Sequence, residues 1–492
     1  MGHIIGIDVG SQSVKGVLVS PGGTLLGVAN ARCRMVYPAT GWAEQAPRQW
    51  ETAIAKVVRT LIAGAAIESS AVTHMGLACQ VDGVVPVNSA GKPLRNAIIW
   101  LDRRAQLQAH ALADAVGADQ IFATTGLNAD ASHIAPKIMW LRDNEPANFH
   151  ATRTMASVAS YLLEWLTGVV AQDHANASST LLYDLRLRSW SEPMLAAARI
   201  DPALLPEIRP SHAIAGYLQT AVAERLGLTT RCQVIVGTGD EHAASLGAGA
   251  ARSSMIIDVT GTAEPVTAVS SHLVFDPEQV VETHAHAVDG QLLVENPGFV
   301  SGGSTLWLSA SVLRAKQERI FHLAAGAPPG SEGVIFLPTL SGATAPRWND
   351  RIRGAFAGLS LSHNRSHLAR AVLEGCAFAL RDIVGRLDAL GLGSQEIRVV
   401  GGGARSPLWM QIKANVTGKP VRAVLSAEPT ALGAAILAGV AAGIFTDAED
   451  AVNRVVKVAP EPILPQPDTA MVYDQAYRRY SALFDAVEVA LP

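Results

Sequence analysis

The chain has 492 residues, more than one compact core holds, and domains of roughly 100–200 residues predict about two to four of them. Lys+Arg 39 against Asp+Glu 43 leaves a net charge of −4, so no basic surplus points to nucleic acid, and 49% hydrophobic with 17% charged residues excludes a disordered chain. Cys33, Cys79, Cys232 and Cys376 form no C-x-x-C pair, which indicates neither a disulfide framework nor a zinc ribbon and points to a reduced, cytoplasmic setting.

In chain order, Met1-Gly2-His3-Ile4-Ile5-Gly6-Ile7-Asp8 has no basic start and reaches an aspartate too early for a signal peptide. Ile4 to Gly10 reads as a buried strand ending in an acidic, glycine-bearing turn. Lys15–Val19 and Leu25–Ala29 read as two further strands joined by the turn Pro21-Gly22-Gly23. The spacing of Trp50, Ile54, Val57 and Val58 predicts a helix over 47–63. Val72–Leu77 reads as a strand running into Cys79-Gln80-Val81-Asp82-Gly83, and helices are expected near 138–143 and 158–166. Val234–Val236 is a short apolar strand entering Gly237-Thr238-Gly239-Asp240.

The opening pattern recurs at Met255 to Thr262, where apolar residues lead into Asp258 and the turn Thr260-Gly261-Thr262, followed by the apolar segment 265–269. This predicts two domains of one ancestry meeting at a cleft, with a hinge at Gly247-Ala248-Gly249-Ala250. The expected units are 1–248, 249–460 and a helical extension over 461–492. Arg398–Val400 is a strand entering Gly401-Gly402-Gly403. The uncharged run 430–445 is too short and too rich in Ala and Gly to span a membrane, and reads as a buried helix packing through small residues.

Neither G-x-x-x-x-G-K-[ST] nor G-x-G-x-x-G after a strand is present. Instead, two turns set glycine beside hydroxyl residues: Asp8-Val9-Gly10-Ser11-Gln12-Ser13, followed by Lys15, and Thr260-Gly261-Thr262. Glycine lets backbone N–H groups converge on an anion and hydroxyls add donors, so the pair suggests a phosphate clamp. A strand-end aspartate most often caps a turn. Asp240, flanked by glycine after an apolar strand, is also placed to accept a proton from a hydroxyl nucleophile. Phosphoryl transfer needs such a carboxylate, Mg²⁺ between phosphates and donors around the transferred group.

These residues resemble the FGGY family of carbohydrate kinases, of the actin and hexokinase superfamily, from Ile4 to about Phe445. Gly354-Ala355-Phe356-Ala357-Gly358-Leu359 followed by His367-Leu368-x-x-Ala371-Val372-Leu373-Glu374 fits its C-terminal signature. Residues 135–144 resemble its N-terminal signature, departing at Ile134. Gly41-Trp42-Ala43-Glu44-Gln45 and Ala345-Pro346-Arg347-Trp348 are similar to further family segments. The resemblance implies an α/β protein of two ribonuclease H-like (actin-like ATPase) domains with a catalytic cleft between them. It implies ATP and Mg²⁺ as cofactors, a small sugar or polyol as partner, no nucleic acid or membrane, and a homodimer, as family members often form.

Residue by residue, the resemblance makes Asp240 the catalytic base and, with Asp8, a metal-linked acid. Gly10, Ser11, Gln12, Ser13 and Lys15 belong to the first phosphate turn, and Gly261 and Thr262 to the second. Gly402, Gly403, Ala404, Ser406 and Asn415 match the adenosine pocket, with Gly303 and Ser304 beside it. The sugar loop is Gln80-Val81-Asp82-Gly83. Xylulokinases carry Gln-Met-His-Gly there and glycerol kinases Arg-Glu, whereas Asp before Gly is similar to erythritol kinases. Trp100 and Asp102-Arg103-Arg104 resemble the xylulokinase continuation. The expected reaction is ATP-dependent phosphorylation of a primary hydroxyl of a ketopentose, D-xylulose to D-xylulose 5-phosphate. The alternatives are a polyol or another ketose, or a non-catalytic sugar- or nucleotide-binding regulator.

Overall fold

The computed structural model describes residues 2–490, and Met1, Leu491 and Pro492 lie outside the described residues. The first sheet contains β1 (His3–Val9), β2 (Ser13–Val19), β3 (Leu25–Arg32), β4 (Val72–Cys79), β5 (Ile214–Tyr217), β6 (Gln233–Ile235) and β7 (Thr238–Gly239). Its order is β5-β6-β4-β1-β2-β3, with β7 alongside β4. The second sheet contains β8 (Ile256–Thr260), β9 (Ala263–Ser270), β10 (Glu282–Ala285), β11 (Leu292–Val300), β12 (Ile397–Gly401) and β13 (Val421–Ala423), in the order β10-β11-β9-β8-β12-β13. The arrangement β3-β2-β1-β4-β6 in one sheet is reproduced by β11-β9-β8-β12-β13 in the other. In each, the first strand pairs antiparallel with the second and parallel with the next strand on its other side. The recurrence expected at Met255–Thr262 is therefore a repeat of sheet topology.

The central strands β1 and β8 are apolar runs buried on both faces, whereas the edge strands β3 and β5 are largely exposed. Helix α1 (Pro47–Ala65) starts on proline, buries Trp50, Ile54, Val57, Val58 and Leu61 against the first sheet, and ends at Ala66 in the left-handed region. Helices α2 (Ile134–Asn144), α3 (Asp240–Gly247), α4 (Arg365–Ala389), α5 (Pro407–Thr417), α6 (Pro429–Ala441) and α7 (Ala470–Ala490) complete the frame needed for the site.

Two placements depart from a simple division of the chain at 248 and 460. Helix α6, from the second half, lies against the first sheet and α3. A Cβ on Gly6 of β1 would fall 2.0 Å from the Ala431 carbonyl oxygen, and one on Gly76 of β4 would fall 2.3 Å from that of Ala434. A Cβ on Gly433 would meet the Ala243 oxygen at 2.0 Å, and one on Gly247 the Pro429 oxygen at 1.8 Å. The small-residue run is thus a buried helix seated directly on backbone. Helix α7 belongs to the second core, where Tyr473, Tyr480 and Phe484 are buried and Tyr480 lies 5.3 Å, ring to ring, from Phe378 of α4. Among the described residues, no helix is long and apolar enough to cross a membrane.

Such backbone-on-backbone contacts leave no room for relaxation. Gly433→Val is expected to destabilise the protein by about 3 kcal/mol, read as a lower urea midpoint. Gly385, in an exposed stretch of α4 with nothing near its missing Cβ, is the control, and Gly385→Ala should stabilise by up to about 1 kcal/mol.

Candidate active site

The turn after β1 is a tight hairpin in which the Gly10 N–H donates to the Ser13 carbonyl at 3.1 Å. Its centre is fastened to the loop after β4. Trp100 Nε1 donates to Ser11 Oγ (2.9 Å), which donates to Gln80 Oε1 (3.2 Å). Gln80 Nε2 donates to Gln45 Oε1 (2.8 Å), and Gln45 Nε2 returns to the Ser11 carbonyl (2.6 Å). With Gln45 and Gln80 buried, this closed ring fixes the turn and the sugar loop as one body. Gln12 is exposed beside it and Ser13 opens β2.

Asp82 sits in the left-handed region at φ 60°. A buried lysine holds it there: Lys137 of α2 donates from Nζ to the Asp82 carbonyl at 2.6 Å and also to the Ser132 carbonyl. His133 Nδ1 lies 3.3 Å from Asp82 Oδ2 and 2.8 Å from the Ser179 carbonyl. Burial alone depresses the His133 pKa, but the charges of Asp82, Glu282 and Asp130 outweigh it and raise it to about 9. Gly83 lies behind the loop, where a Cβ would fall 2.6 Å from Val158 Cγ2, so it packs and does not line the site.

Because β7 pairs with β4 at Ala78 and Cys79, the next residue, Asp240, enters the cleft beside Gln80 as the first residue of α3. Burial raises its pKa to about 6 against the lowering effect of nearby backbone N–H groups, among them that of Glu241 at 3.0 Å. Asp8, 8% exposed at the end of β1, is pushed up to about 8 by burial and by the charge of Asp240. Lys15, its cross-strand partner, gives only partial relief, because its Nζ ion-pairs with Glu428 Oε2 at 2.8 Å.

Across the cleft, the exposed turn Gly261-Thr262 packs on the residues after β11. The Gly302 N–H donates to the Gly261 carbonyl and the Gly303 N–H to that of Thr262, each at 3.0 Å. The next glycine run closes on the same strand end: a Cβ on Gly403 would sit 2.3 Å from Thr260 Cγ2, while Gly402 faces open space. Gly261, Thr262, Gly303, Gly402 and Gly403 are thus gathered around Thr260. Ala404 is half-buried against the second core.

Three other residues expected in the nucleotide pocket are engaged internally. The buried Ser304 hydroxyl donates to the Val300 carbonyl. Ser406 caps α5 by accepting from the Trp409 N–H at 3.3 Å. Asn415 accepts from the Gln466 N–H (2.8 Å) and Gln411 Nε2 (2.9 Å), and donates to Gln466 Oε1 (3.1 Å). Serine and asparagine near a helix end serve as caps as readily as ligands, so sequence alone does not separate the two uses.

Between the two turns lies a cavity of about 570 Å³ lined by Ser11, Gln80, Val81, Asp82 and Asp240, all expected. It is also lined by residues that sequence reasoning missed, among them Glu241, His133, Glu282, His284, Glu295 and Trp348. Burial and neighbouring carboxyls raise the Glu295 pKa to about 8, and burial raises that of Glu282. Trp348 ends the segment 345–348, whose likeness to a family segment carries no role by itself. Glu282 and Glu295 stand opposite each other in the β10–β11 pair, a like-charge pairing that a sheet disfavours and that, once strands are paired, marks a working surface.

Two like sheets, each with a Gly-hydroxyl turn after its first strand, and a cavity lined by Ser11 and Asp240 from the first half and Ala263 from the second, define an actin-like ATPase fold. The comparisons with known proteins are more specific. Residues 3–247 match the N-terminal domain of the FGGY family of carbohydrate kinases and residues 258–442 its C-terminal domain. The chain belongs to the FGGY family of carbohydrate kinases, whose phosphoryl donor is ATP. It is 28% identical over 486 residues to the xylulose kinase of Lactococcus lactis, covering 98% of this chain and 97% of that one. It is 32% identical over 467 residues to the glycerol kinase of Aromatoleum aromaticum, covering 92% of each. The xylulose kinase of Rhodospirillum rubrum superposes with a TM-score of 0.92 at 30% identity over 99% of both chains.

The His133–Asp82 pair makes stability depend on pH. A histidine raised from about 6.5 to about 9 contributes fully below pH 6.5 and loses that contribution as pH climbs to 9. Stability should fall by on the order of 3 kcal/mol across that window in urea titrations, and His133→Gln should flatten the profile.

Proposed function

We propose that the chain phosphorylates a primary hydroxyl of a ketopentose with ATP, D-xylulose giving D-xylulose 5-phosphate being the first choice. One observation carries this: Asp240 stands in the same cavity as Asp82 and faces the Gly261-Thr262 side, whose next residue, Ala263, lines that cavity. The xylulose kinase relatives, matched over nearly their whole length, support the choice of sugar.

The sugar loop holds the acceptor so that its primary hydroxyl meets Asp240. The carboxylate takes the hydroxyl proton as the oxygen attacks the γ-phosphorus in line, and ADP leaves. A pKa near 6 keeps Asp240 ionised yet basic at neutral pH. In this reading the exposed Thr262 of the second turn offers donors to the γ-phosphoryl oxygens. Trp100 and Trp348 line the opening and shield the reacting atoms from water, the competing acceptor.

The residues present fit a divalent cation. Asp8 and Asp240 are carboxylates raised by burial and, for Asp8, by the other's charge, and the adjacent lysine is committed to Glu428. Mg²⁺ favours such a small oxygen set completed by substrate phosphates, and held by Asp8 with Asp240 it would neutralise phosphoryl charge. A second reading, a polyol acceptor, rests on Asp82, which when ionised only accepts hydrogen bonds and suits two neighbouring hydroxyls.

A screen of ADP release over pentuloses, hexuloses and C3–C5 polyols should give its highest turnover with D-xylulose. Asp240→Asn should lower kcat by about a thousandfold with ATP binding kept within a few fold. For wild type, kcat/KM should drop as pH falls through about 6. Near-normal turnover in Asp240→Asn would remove Asp240 as the base, and no sugar-dependent ADP release anywhere in the screen would favour the regulator.

A further inference from the structure

The acceptor cavity is walled on one side by the first domain, with Asp82 and Asp240, and on the other by the second. There β10 supplies Glu282 and His284 and β11 supplies Glu295. Glu282 is 5% exposed, His284 3% and Glu295 3%. Folding alone does not account for this wall. Glu282 and Glu295 are direct cross-strand partners, an acidic pair that the sheet accommodates only because the Glu295 carboxyl is pushed up to about 8.

Their polar atoms are also incompletely used. Glu282 accepts from the Asn128 backbone N–H at 2.8 Å and from its side-chain amide at 3.1 Å. Glu295 Oε2 and both ring nitrogens of His284 make no hydrogen bond among the described residues, although His284 Nε2 comes within 3.2 Å of Glu295 Oε1. Buried polar atoms without partners are costly, and here they border a cavity that a hydroxylated molecule fits.

The charge of the wall is one-sided. Arg103 is the only arginine or lysine among the described lining residues, and it is paired with Asp130. His133 is turned to Asp82, and Glu241 adds another carboxyl beside Asp240. Among the described lining residues, no guanidinium or ammonium is left over to face Glu282 and Glu295.

We infer that Glu282, His284 and Glu295 form a distal subsite that binds an uncharged, hydroxyl-bearing end of the acceptor and rejects an acceptor ending in a carboxylate. The inference rests on the reading of this cavity as the acceptor site. Sugar hydroxyls bond with Glu295 Oε2 and the ring nitrogens of His284, whereas an anionic end opposes ionisation of the Glu282 and Glu295 carboxyls, and the one imidazolium near them, His133, is held by Asp82. Selection is thus partly by repulsion.

Xylitol and D-xylonate make the test, since they differ only in one terminal group, CH2OH against carboxylate. Calorimetric titration of the full-length protein should show D-xylulose or xylitol binding at least about a hundredfold more tightly than D-xylonate. Compared at pH 8.5, where the wild-type Glu295 carboxyl is mostly ionised, Glu295→Gln should keep neutral-ligand affinity within about tenfold and shrink the xylitol-to-xylonate ratio about tenfold or more. D-xylonate binding within a few fold of xylitol, no binding of either neutral compound, or an unchanged ratio in a Glu295→Gln protein that melts like wild type would each overturn the subsite. The wild-type ratio needs no variant, so misfolding of Glu295→Gln leaves the proposal decidable. Neutral ligands that bind but are not phosphorylated with ATP would overturn the kinase reading and leave the subsite standing.

Discussion

Carboxyl groups buried without a fixed counter-cation are the constraint around which the molecule is arranged. Moving an ionised carboxylate out of water costs several kcal/mol even after the protein relaxes. The cleft holds Asp8, Asp240, Glu282 and Glu295, each with its pKa raised by burial. Their cost is borne by two sheets with buried central strands and by local clamps that leave each carboxyl little choice of position. Lys137 fixes the backbone of Asp82 and not its carboxylate, which lines the cavity beside His133. The ring through Ser11, Gln45 and Gln80 orders the loop without adding a charge.

The two sheets support the cleft through different contacts. Under the first, α6 rests on the backbone of β1 and β4, and Glu428 just before it reaches Lys15 on β2, so the floor from which Asp8 emerges is tied to the second half of the chain. Under the second, Glu374 of α4 accepts from the Gly330 N–H (2.9 Å), Ser331 Oγ (2.8 Å), Arg370 Nε (2.8 Å) and the Tyr473 hydroxyl (3.1 Å). That hub fastens α7 to the core beside the Gly302–Trp307 helix, where Trp307 stacks on Phe336 at 6.1 Å. A buried carboxylate with four donors is stable where it stands, unlike those of the cleft.

Much of this was legible because the informative signals are local. Ile4–Asp8 followed by Gly10 is a strand and a turn in any setting, and the repeat at Ile256–Thr262 shares that logic. The same kind of local signal, a glycine-flanked carboxylate after a short apolar strand, singled out Asp240, which lines the cavity. The signature segments were legible as patterns but not as physics: Lys137 and Glu374 are clamps and hubs, not ligands. Glu282, His284 and Glu295 were invisible because no short-range rule predicts that β10 and β11 will pair and bring them to the cavity. The seat of α6 on Gly6 and Gly76 was hidden likewise, since the partners lie more than three hundred residues apart.

The repeat also shows how one pattern came to carry two chemistries. Asp8 and Asp258 occupy the same place, near the end of the first strand of each sheet. Asp258 is fully buried, with Lys413 Nζ at 2.6 Å and the Thr260 hydroxyl at 2.9 Å, and Lys413 also reaches Glu264 at 2.9 Å. Its charge is spent holding β8, β9 and α5 together beneath the Gly261-Thr262 turn. Asp8 has the equivalent position and a nearby lysine, but that lysine is shared with Glu428 and the carboxyl stays under-neutralised beside Asp240. A strand-end aspartate is therefore structural or chemical according to whether a cation contacts it directly, as Lys413 contacts Asp258 while Lys15 turns to Glu428. By that criterion the second sheet supplies a rigid turn, and the first leaves a buried carboxyl whose ionisation only a further cation would compensate.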